Sequence, residues 1–355
     1  MGIIKNLSLA ALALGILSAP LTANAAFWNK WFNKGKNDST EVVEQDPEKV
    51  QQFSKIIHNA TSESHGMVNV YKHDKDYYFE VPVTLMDKDL LVVNKLTYVP
   101  SELNDAGVNR GTNYQTQMVR LSVDTSLNKV TMRQQRPMPY APAGDAINRS
   151  ITENYISPII ENFEVVAHPK DSTSVLIKVT DLFNGQNTIL NDVFNNINLG
   201  TSVDKDLSRI VEINAFDNNV IAYSELTTKV TEGMESVYVT VGVSCSIVLL
   251  PEEAMPARLD TPRIGYFTTD RLSYSDNQQK VDDRKYITRW RLVPSDTAAY
   301  LRGEAVPPVK PIKFYIDNSV PEKWRPYLTK GITDWNAVFE SIGFKDAIVV
   351  EQYPD

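Results

Sequence analysis

The stretch of sequence that decides the fold reads SRIVEINAFDNNVIAYSEL and spans Ser208–Leu226. In Ser208–Ala215 and again in Val220–Leu226, apolar residues recur near every second position, a period that is typical of half-buried strands. Asp217–Asn219 lies between the two runs, and Asn and Asp side chains support turns by bonding to the nearby backbone. The segment therefore predicts two strands joined by a tight turn.

Strand-like runs of the same kind lie on both sides of this hairpin, with short polar turns between them. They are Val68–Val70 and Tyr77–Val81 around the turn His73–Asp76, Leu90–Leu96, Met118–Val123 facing Val130–Met132, Ser174–Val179, Val237–Leu250, Ile264–Phe267 and Tyr286–Leu292. We therefore expect residues 66–295 to form one β-rich N-terminal domain with a few helices.

Two helices are predicted around these strands. Asp46 is suited to cap a helix that has Pro47 in its first turn, and apolar residues follow at helical spacing, so residues 46–65 are predicted to be a short helical segment. A second helix is expected over 147–163, where apolar residues recur at intervals of three to four, although Pro158 is unfavourable inside a helix.

The pattern changes after a Gly- and Pro-containing segment at 302–310. Ile312–Ile316 is predicted to be a strand and Ala347–Val350 another. Between them, one amphipathic helix is predicted with Pro326 in its first turn and Gly343 after its end. Its apolar stripe is Leu328, Ile332, Trp335, Phe339 and Ile342.

A strand, a crossover helix and a second strand cannot bury that stripe without a larger sheet. Residues 309–355 are therefore expected to be the incomplete start of a second domain, which gives an α+β fold class overall.

The first residues predict export. One positive charge, Lys5, precedes the apolar run Leu7–Leu17, and Ala23–Ala25 stands in front of Ala26. These are the three parts of a secretory signal peptide, so we expect residues 1–25 to be removed by cleavage between Ala25 and Ala26. The apolar run is too short for a stable membrane anchor. Residues 26–45 are predicted to be a linker, and the mature protein is expected to be periplasmic or secreted.

Charge and cysteine content exclude some functions. The net charge is −8 without a long basic run, which argues against nucleic acid as a partner, since its binding needs a basic face. Cys245 is the single cysteine, so no disulfide can form within the chain. It lies in a strand-like run, and we interpret it as a buried, inert thiol.

The chain contains no catalytic signature that we can recognise. A His-Glu-x-x-His sequence, which would bind zinc on one helix face, is absent, as are Gly-rich phosphate loops and paired-cysteine zinc motifs. The four histidines, His58, His65, His73 and His168, are interpreted as residues that bind no metal. We therefore assign no catalytic residue and no metal ligand.

Carboxylates receive structural interpretations as well. The pairs Asp74/Asp76 and Asp282/Asp283 fall in predicted turns, where Asp bonds to the local backbone. In Met255–Phe267, two arginines and an aspartate stand between prolines. For them a rigid charged network at a domain interface is favoured over a catalytic role.

Several segments together resemble bacterial exported zinc-dependent metalloproteases. They are Leu249–Phe267, Ile287–Leu292, Lys310–Asp317, Lys323–Pro326 and Gly331–Ile348. The resemblance covers essentially the whole mature chain. It implies two poorly characterised N-terminal domains followed by a metzincin-like protease domain, whose zinc-binding His-Glu-x-x-His lies downstream of Asp355.

This resemblance implies that the full-length protein hydrolyses peptide bonds with a zinc-activated water, and that protein or peptide is its substrate. The present chain would resemble the N-terminal portion of such an enzyme. It would lack the zinc ligands and the catalytic Glu, bind no zinc itself, be inactive alone and have the missing protease domain as its partner. The alternative is a non-enzymatic, exported β-rich binding module.

Overall fold

The computed structural model describes residues 46–124, 128–136, 139–232 and 235–354. The predicted signal peptide, its cleavage point between Ala25 and Ala26, and the linker 26–45 lie outside these residues. No helix within the described ranges is long and apolar enough to cross a membrane.

The described residues form two compact units. The larger unit holds those up to Ala254 together with Thr269–Tyr286, and the smaller unit holds Met255–Thr268 and those of Ile287–Asp355. The sequence-predicted limits of the β-rich domain, 66–295, and of the second domain, 309–355, remain predictions.

The larger unit is built on an 11-stranded sheet in which every neighbouring pair is antiparallel. Its strands lie side by side in the order β1-β2-β3-β9-β8-β6-β5-β4-β12-β11-β10. Their bounds are β1 Ser62–Ser64, β2 Asn69–His73, β3 Asp76–Pro82, β4 Leu90–Tyr98, β5 Asn113–Asp124, β6 Lys129–Gln134, β8 Ile159–Ala167, β9 Ser174–Lys178, β10 Val203–Phe216, β11 Asn219–Glu232 and β12 Glu235–Leu249. The predicted strand-dominated domain is confirmed.

The first and last strands of this sheet meet, so that the sheet is a nearly closed barrel. The backbone N–H of Ala215 in β10 donates to Oγ of Ser64 in β1 over 2.9 Å, and that hydroxyl lies 3.5 Å from the Ala215 carbonyl. The N–H of Met67 donates to the carbonyl of Phe216 over 2.7 Å. This contact satisfies backbone groups that an open sheet edge would leave exposed.

Apolar side chains fill the interior of the barrel. In β4 the buried residues are Leu90, Val92, Asn94 and Leu96, the alternation expected for a strand with one face inward. The largest apolar cluster joins residues from ten strands, with Val81, Val119 and Val130 fully buried. The cavity that remains at its centre has about 20 Å³ and an apolar lining. That is room for no more than about one water molecule, so the interior is a packed core.

Short helices cover parts of the sheet. They are α1 Pro47–His58, a 3-10 turn at Val83–Leu85, α2 Ser101–Asp105, α3 Ala146–Asn154, α4 Thr180–Phe183 and α5 Val193–Asn196. The predicted helix near Asp46 is confirmed, since the Asp46 carboxylate accepts from the N–H of Glu48 over 3.1 Å at the start of α1. The predicted helix over 147–163 is wrong in its second half. Pro158 lies where α3 has ended, and β8 begins at Ile159.

A second, three-stranded sheet of the larger unit consists of β7 Pro139–Tyr140, β13 Thr268–Ser273 and β14 Asp282–Ile287, with β13 in the middle. Two sequence predictions near it are wrong. The run Ile264–Phe267 is irregular and precedes β13, and of the predicted strand Tyr286–Leu292 only the first residues belong to β14. Prolines and a glycine around the first run favour irregular backbone over a ladder.

The smaller unit contains α6 Thr297–Leu301, β15 Ile312–Ile316, α7 Arg325–Thr333, α8 Asn336–Glu340 and β16 Ile348–Gln352. The two strands pair in parallel, so the predicted strand-helix-strand order is confirmed. The single predicted helix is instead divided at Asp334 and Trp335 into α7 and α8. Gly343 adopts φ 89° after α8, as a glycine in the predicted capping position does.

Candidate functional site

The side chains able to bind metal are scattered. His58 ends α1, His65 follows β1, His73 ends β2 and His168 follows β8. Two of the four lie near carboxylates, with His65 Nε2 at 3.7 Å from Glu63 and His73 Nδ1 at 3.4 Å from Asp74. In the parts of the chain that the structure describes, no three of the His, Cys, Asp and Glu residues come together as a metal-binding group.

Three of the four carboxylates in the two acidic pairs, Asp74, Asp76 and Asp282, have structural partners. Asp74 lies in the predicted turn before β3, and Asp76 Oδ1 accepts from Thr180 Oγ1 at 3.0 Å and from Lys178 Nζ at 2.9 Å. The turn predicted for Asp282/Asp283 is wrong, because both residues lie in β14. Asp282 there accepts from Arg284 Nε at 2.8 Å.

Cys245, the single cysteine of the chain, lies in surroundings that do not favour a thiolate. It lies in β12 opposite Asn94 of β4 and is buried. Burial raises the pKa of its thiol to about 12, so the thiolate that would react is not populated near neutral pH. The interpretation of Cys245 as a buried, inert thiol is confirmed.

The segment Met255–Phe267 is held mainly by backbone contacts. The carbonyl of Arg258 accepts from the N–H of Ile287 over 3.0 Å, and the carbonyl of Pro256 accepts from Arg289 over 2.8 Å. Within the described ranges, neither Arg258 nor Arg263 forms an ion pair with Asp260, whose Oδ1 is buried without a hydrogen-bond partner. The charged network expected among these three residues is therefore not formed.

The most unusual surface of the smaller unit is the apolar face of α7 and α8. No residue of either helix is buried. The predicted apolar stripe is instead largely open, with Trp335 62% exposed, Ile342 56% and Leu328 45%. Val338 adds to the same apolar surface at 55%. Contiguous exposed apolar surface of this kind is typical of interaction surfaces.

An open groove of about 710 Å³ runs beside α7 and carries the polar part of this surface. Its cations already have partners. Arg325 donates to the carbonyls of Val320 and Asn318, each over 2.9 Å, and Lys330 forms an ion pair with Asp334 at 2.8 Å. The two cations that line the groove are therefore already paired within the protein.

One edge of β15 is also open. The N–H of Ile312 donates to Ala347 and the carbonyl of Ile316 accepts from Tyr353, so these two residues face β16. Because backbone groups alternate in direction along a strand, those of Lys313 and Tyr315 point to the other side. The sheet that contains β15 has two strands, so nothing in the described part pairs with that side.

By its folds, the described part of the chain consists of a filled, nearly closed β-barrel and a small α/β unit. Residues 111–295 match the family described as Domain of unknown function (DUF5117), and residues 50–99 match Domain of unknown function (DUF5118). The first match spans more than half of the chain, which therefore belongs to the DUF5117 family. Both are N-terminal domains of a zinc metalloprotease-associated family. No curated protein and no solved structure matches the chain.

Proposed function

We propose that this chain is the N-terminal part of an exported zinc-dependent metallopeptidase. The barrel unit is its non-catalytic front portion, and the strand-helix-strand of the smaller unit opens its metzincin-like protease domain. Zinc, its ligands and the general-base Glu are supplied by sequence that this chain does not contain. The full-length protein acts on protein or peptide substrates after the signal peptide, residues 1–25, has directed its export.

The observation that carries the proposal is the open state of the smaller unit. Purely parallel sheets are found almost only where both faces are covered, and exposed strand edges are usually protected. Here β15 and β16 are parallel, one edge of β15 is free in the described part, and Trp335 and Ile342, at the two ends of α8, are more than half exposed. Further strands and a further layer of one domain would satisfy all three features at once.

In this proposal, the catalytic zinc is bound by residues that lie outside this chain. A catalytic zinc site needs three protein ligands around the metal with a fourth position for water. Among the described residues, no three His, Cys, Asp or Glu side chains come together as such a group. The role proposed for this chain is therefore to fold, hold and present the protease domain.

The coding frame beyond codon 355 tests the proposal. We expect it to continue and to encode a His-Glu-x-x-His sequence. A frame that stops directly after codon 355 contradicts the proposal and leaves the binding-module alternative.

A second test uses purified residues 26–355. We expect less than stoichiometric zinc by elemental analysis and no cleavage of casein. Tight zinc, or a casein cleavage that a chelator abolishes, would show that the chain carries its own active site. Either result would contradict the assignment of catalysis to downstream sequence.

A further inference from the structure

Arg271 is a partly buried cation in the middle strand of the three-stranded sheet. Its guanidinium carbon lies 4.1 Å from the ring centroid of Tyr140 on β7, so the planar group stacks over the ring. Its Nε is inaccessible to solvent and has no hydrogen-bond partner. A buried Nε without a partner leaves one donor of this guanidinium unsatisfied.

The charges around Arg271 do not neutralise it. Its electrostatic neighbours are Tyr286, Tyr140 and a second cation, Arg284, and burial is the main cause that lowers the pKa of Arg271. The nearby carboxylate of Asp282 is held by Arg284 at 2.8 Å. In the ranges that the structure covers, Arg271 itself is in no ion pair.

Arg120 of the same unit shows the usual arrangement for an arginine at similar depth. Its Nε and Nη2 both donate to the carboxylate of Asp89, the latter over 3.0 Å. A desolvated charge without such a partner is unfavourable for folding. Perturbed and unpaired charges of this kind are concentrated at binding sites.

The surrounding backbone is held in place. The carboxylate of Asp276, in the loop between β13 and β14, accepts from the N–H groups of Ala146 at 2.6 Å and Ile147 at 3.0 Å. In return, Asp145 accepts from the N–H of Asp276 over 2.9 Å. These bonds tie the β13–β14 hairpin to the segment that follows β7, so the strands bearing Tyr140, Arg271 and Arg284 are fixed together.

We propose that Arg271, stacked on Tyr140 and adjacent to Arg284, forms a binding site for a small oxyanion, either a carboxylate or a phosphate group. The planar fork of a guanidinium donates two parallel hydrogen bonds to two oxygens of such an anion. Stacking on Tyr140 holds the plane of the fork, and Arg284 adds a second positive charge. The site lies wholly in the barrel unit and does not depend on the peptidase proposal.

The test compares the melting temperature of residues 26–355 in chloride, acetate and inorganic phosphate at matched ionic strength. A ligand that binds only the folded state raises this temperature, and we expect a rise of about 2–4 °C at saturating anion. A response to acetate alone identifies a carboxylate site, and a response to phosphate alone a phosphate site. Equal melting temperatures in all three salts overturn the proposal.

Arg271→Met is the decisive variant, because methionine keeps an apolar stem over Tyr140 and removes the charge. We expect it to abolish the anion-dependent rise and to leave the melting temperature in chloride unchanged or higher. Arg149→Met is the matched control, since Arg149 is exposed and paired with Glu153, and it should retain the full rise. A variant that loses stability in chloride but keeps the anion response would show that Arg271 is structural.

If Arg271→Met does not fold, Arg284→Met provides the test. We expect it to weaken anion binding about tenfold, and an unchanged affinity contradicts the site.

Discussion

At the scale of single residues, Gly66 decides whether the barrel can close. It lies beside Phe216, where β10 meets β1, and a Cβ placed on Gly66 would stand 2.4 Å from the Phe216 carbonyl oxygen. The neighbouring atoms belong to the backbone and cannot rotate away. Any side chain at this position must therefore push the two strands apart.

We expect Gly66→Ala to destabilise the barrel by about 1–3 kcal/mol, in line with overpacking at a tight contact. The free energy of unfolding from a urea titration, followed by circular dichroism, measures the effect. Gly144→Ala is the control, because a Cβ on Gly144 meets no atom within 4 Å. Equal stability of the two variants would show that the seam is loose.

Chemical labelling of the Cys245 thiol tests how well the barrel interior is packed. Because burial raises its thiol pKa to about 12, a thiol reagent should fail to label the native protein between pH 7 and pH 9 and should label it fully in denaturant. Fast labelling of the native protein at pH 8 would contradict a packed core around β12.

The same thiol contributes to alkaline instability. In the unfolded chain it ionises near its ordinary pKa, whereas in the folded chain it stays neutral until about pH 12. The unfolded state therefore releases a proton first, and stability falls as the pH rises through this interval. Cys245→Ala should lose less stability than the wild type between pH 8 and pH 10, and an equal loss would contradict the shifted pKa.

At the scale of elements, short-range patterns predict the strands well. The hairpin at Ser208–Leu226 is present as β10 and β11, joined by a turn at Asp217 and Asn218. This works because turn chemistry and period-two alternation are local properties. The helix predicted over 147–163 is wrong in its second half. Apolar residues four positions apart also lie on one face of a strand, and Pro158 disfavours the helix there.

Local patterns fail for the stripe Leu328–Ile342. Its spacing indicates a buried face, yet no residue of α7 or α8 is buried. The amphipathic pattern indicates which side chains need a partner, while the partner itself is absent from the described residues.

The contact of Arg271 with Tyr140 could not be predicted from the sequence either. It joins residues 131 positions apart, a distance over which periodicity carries no information.

We expect Trp335→Ser to change the unfolding free energy of residues 26–355 by no more than about 0.5 kcal/mol, because Trp335 is 62% exposed in this chain. Phe344→Ala should lower it by about 3–5 kcal/mol, since Phe344 is buried beside the Tyr300 ring. Urea titrations measure both.

In a protein that includes the proposed protease domain, Trp335→Ser should become as damaging as a core substitution. Continued tolerance of Trp335→Ser in that longer protein would contradict the covering of this face.

At the scale of the whole molecule, the two units differ in completeness. The barrel pairs its strands nearly all the way round and fills its interior, as an independently stable domain does. Among the described residues, the smaller unit buries few, namely Ala299, Val306, Pro308, Ile312, Ile316, Phe344, Ala347 and Ile348. The sequence predicts the strand-rich fold class. It does not predict closure of the barrel, because the contact between β1 and β10 depends on the accumulated twist of all the strands between them.

The central claim is that this chain is the non-catalytic front of a zinc peptidase. Elemental analysis of the natural gene product, purified from its own cells and sized by intact mass, tests it most directly. We expect a product longer than residues 26–355 that carries one zinc per chain and cleaves casein until a chelator is added. A natural product with the mass of residues 26–355 and no zinc would contradict it.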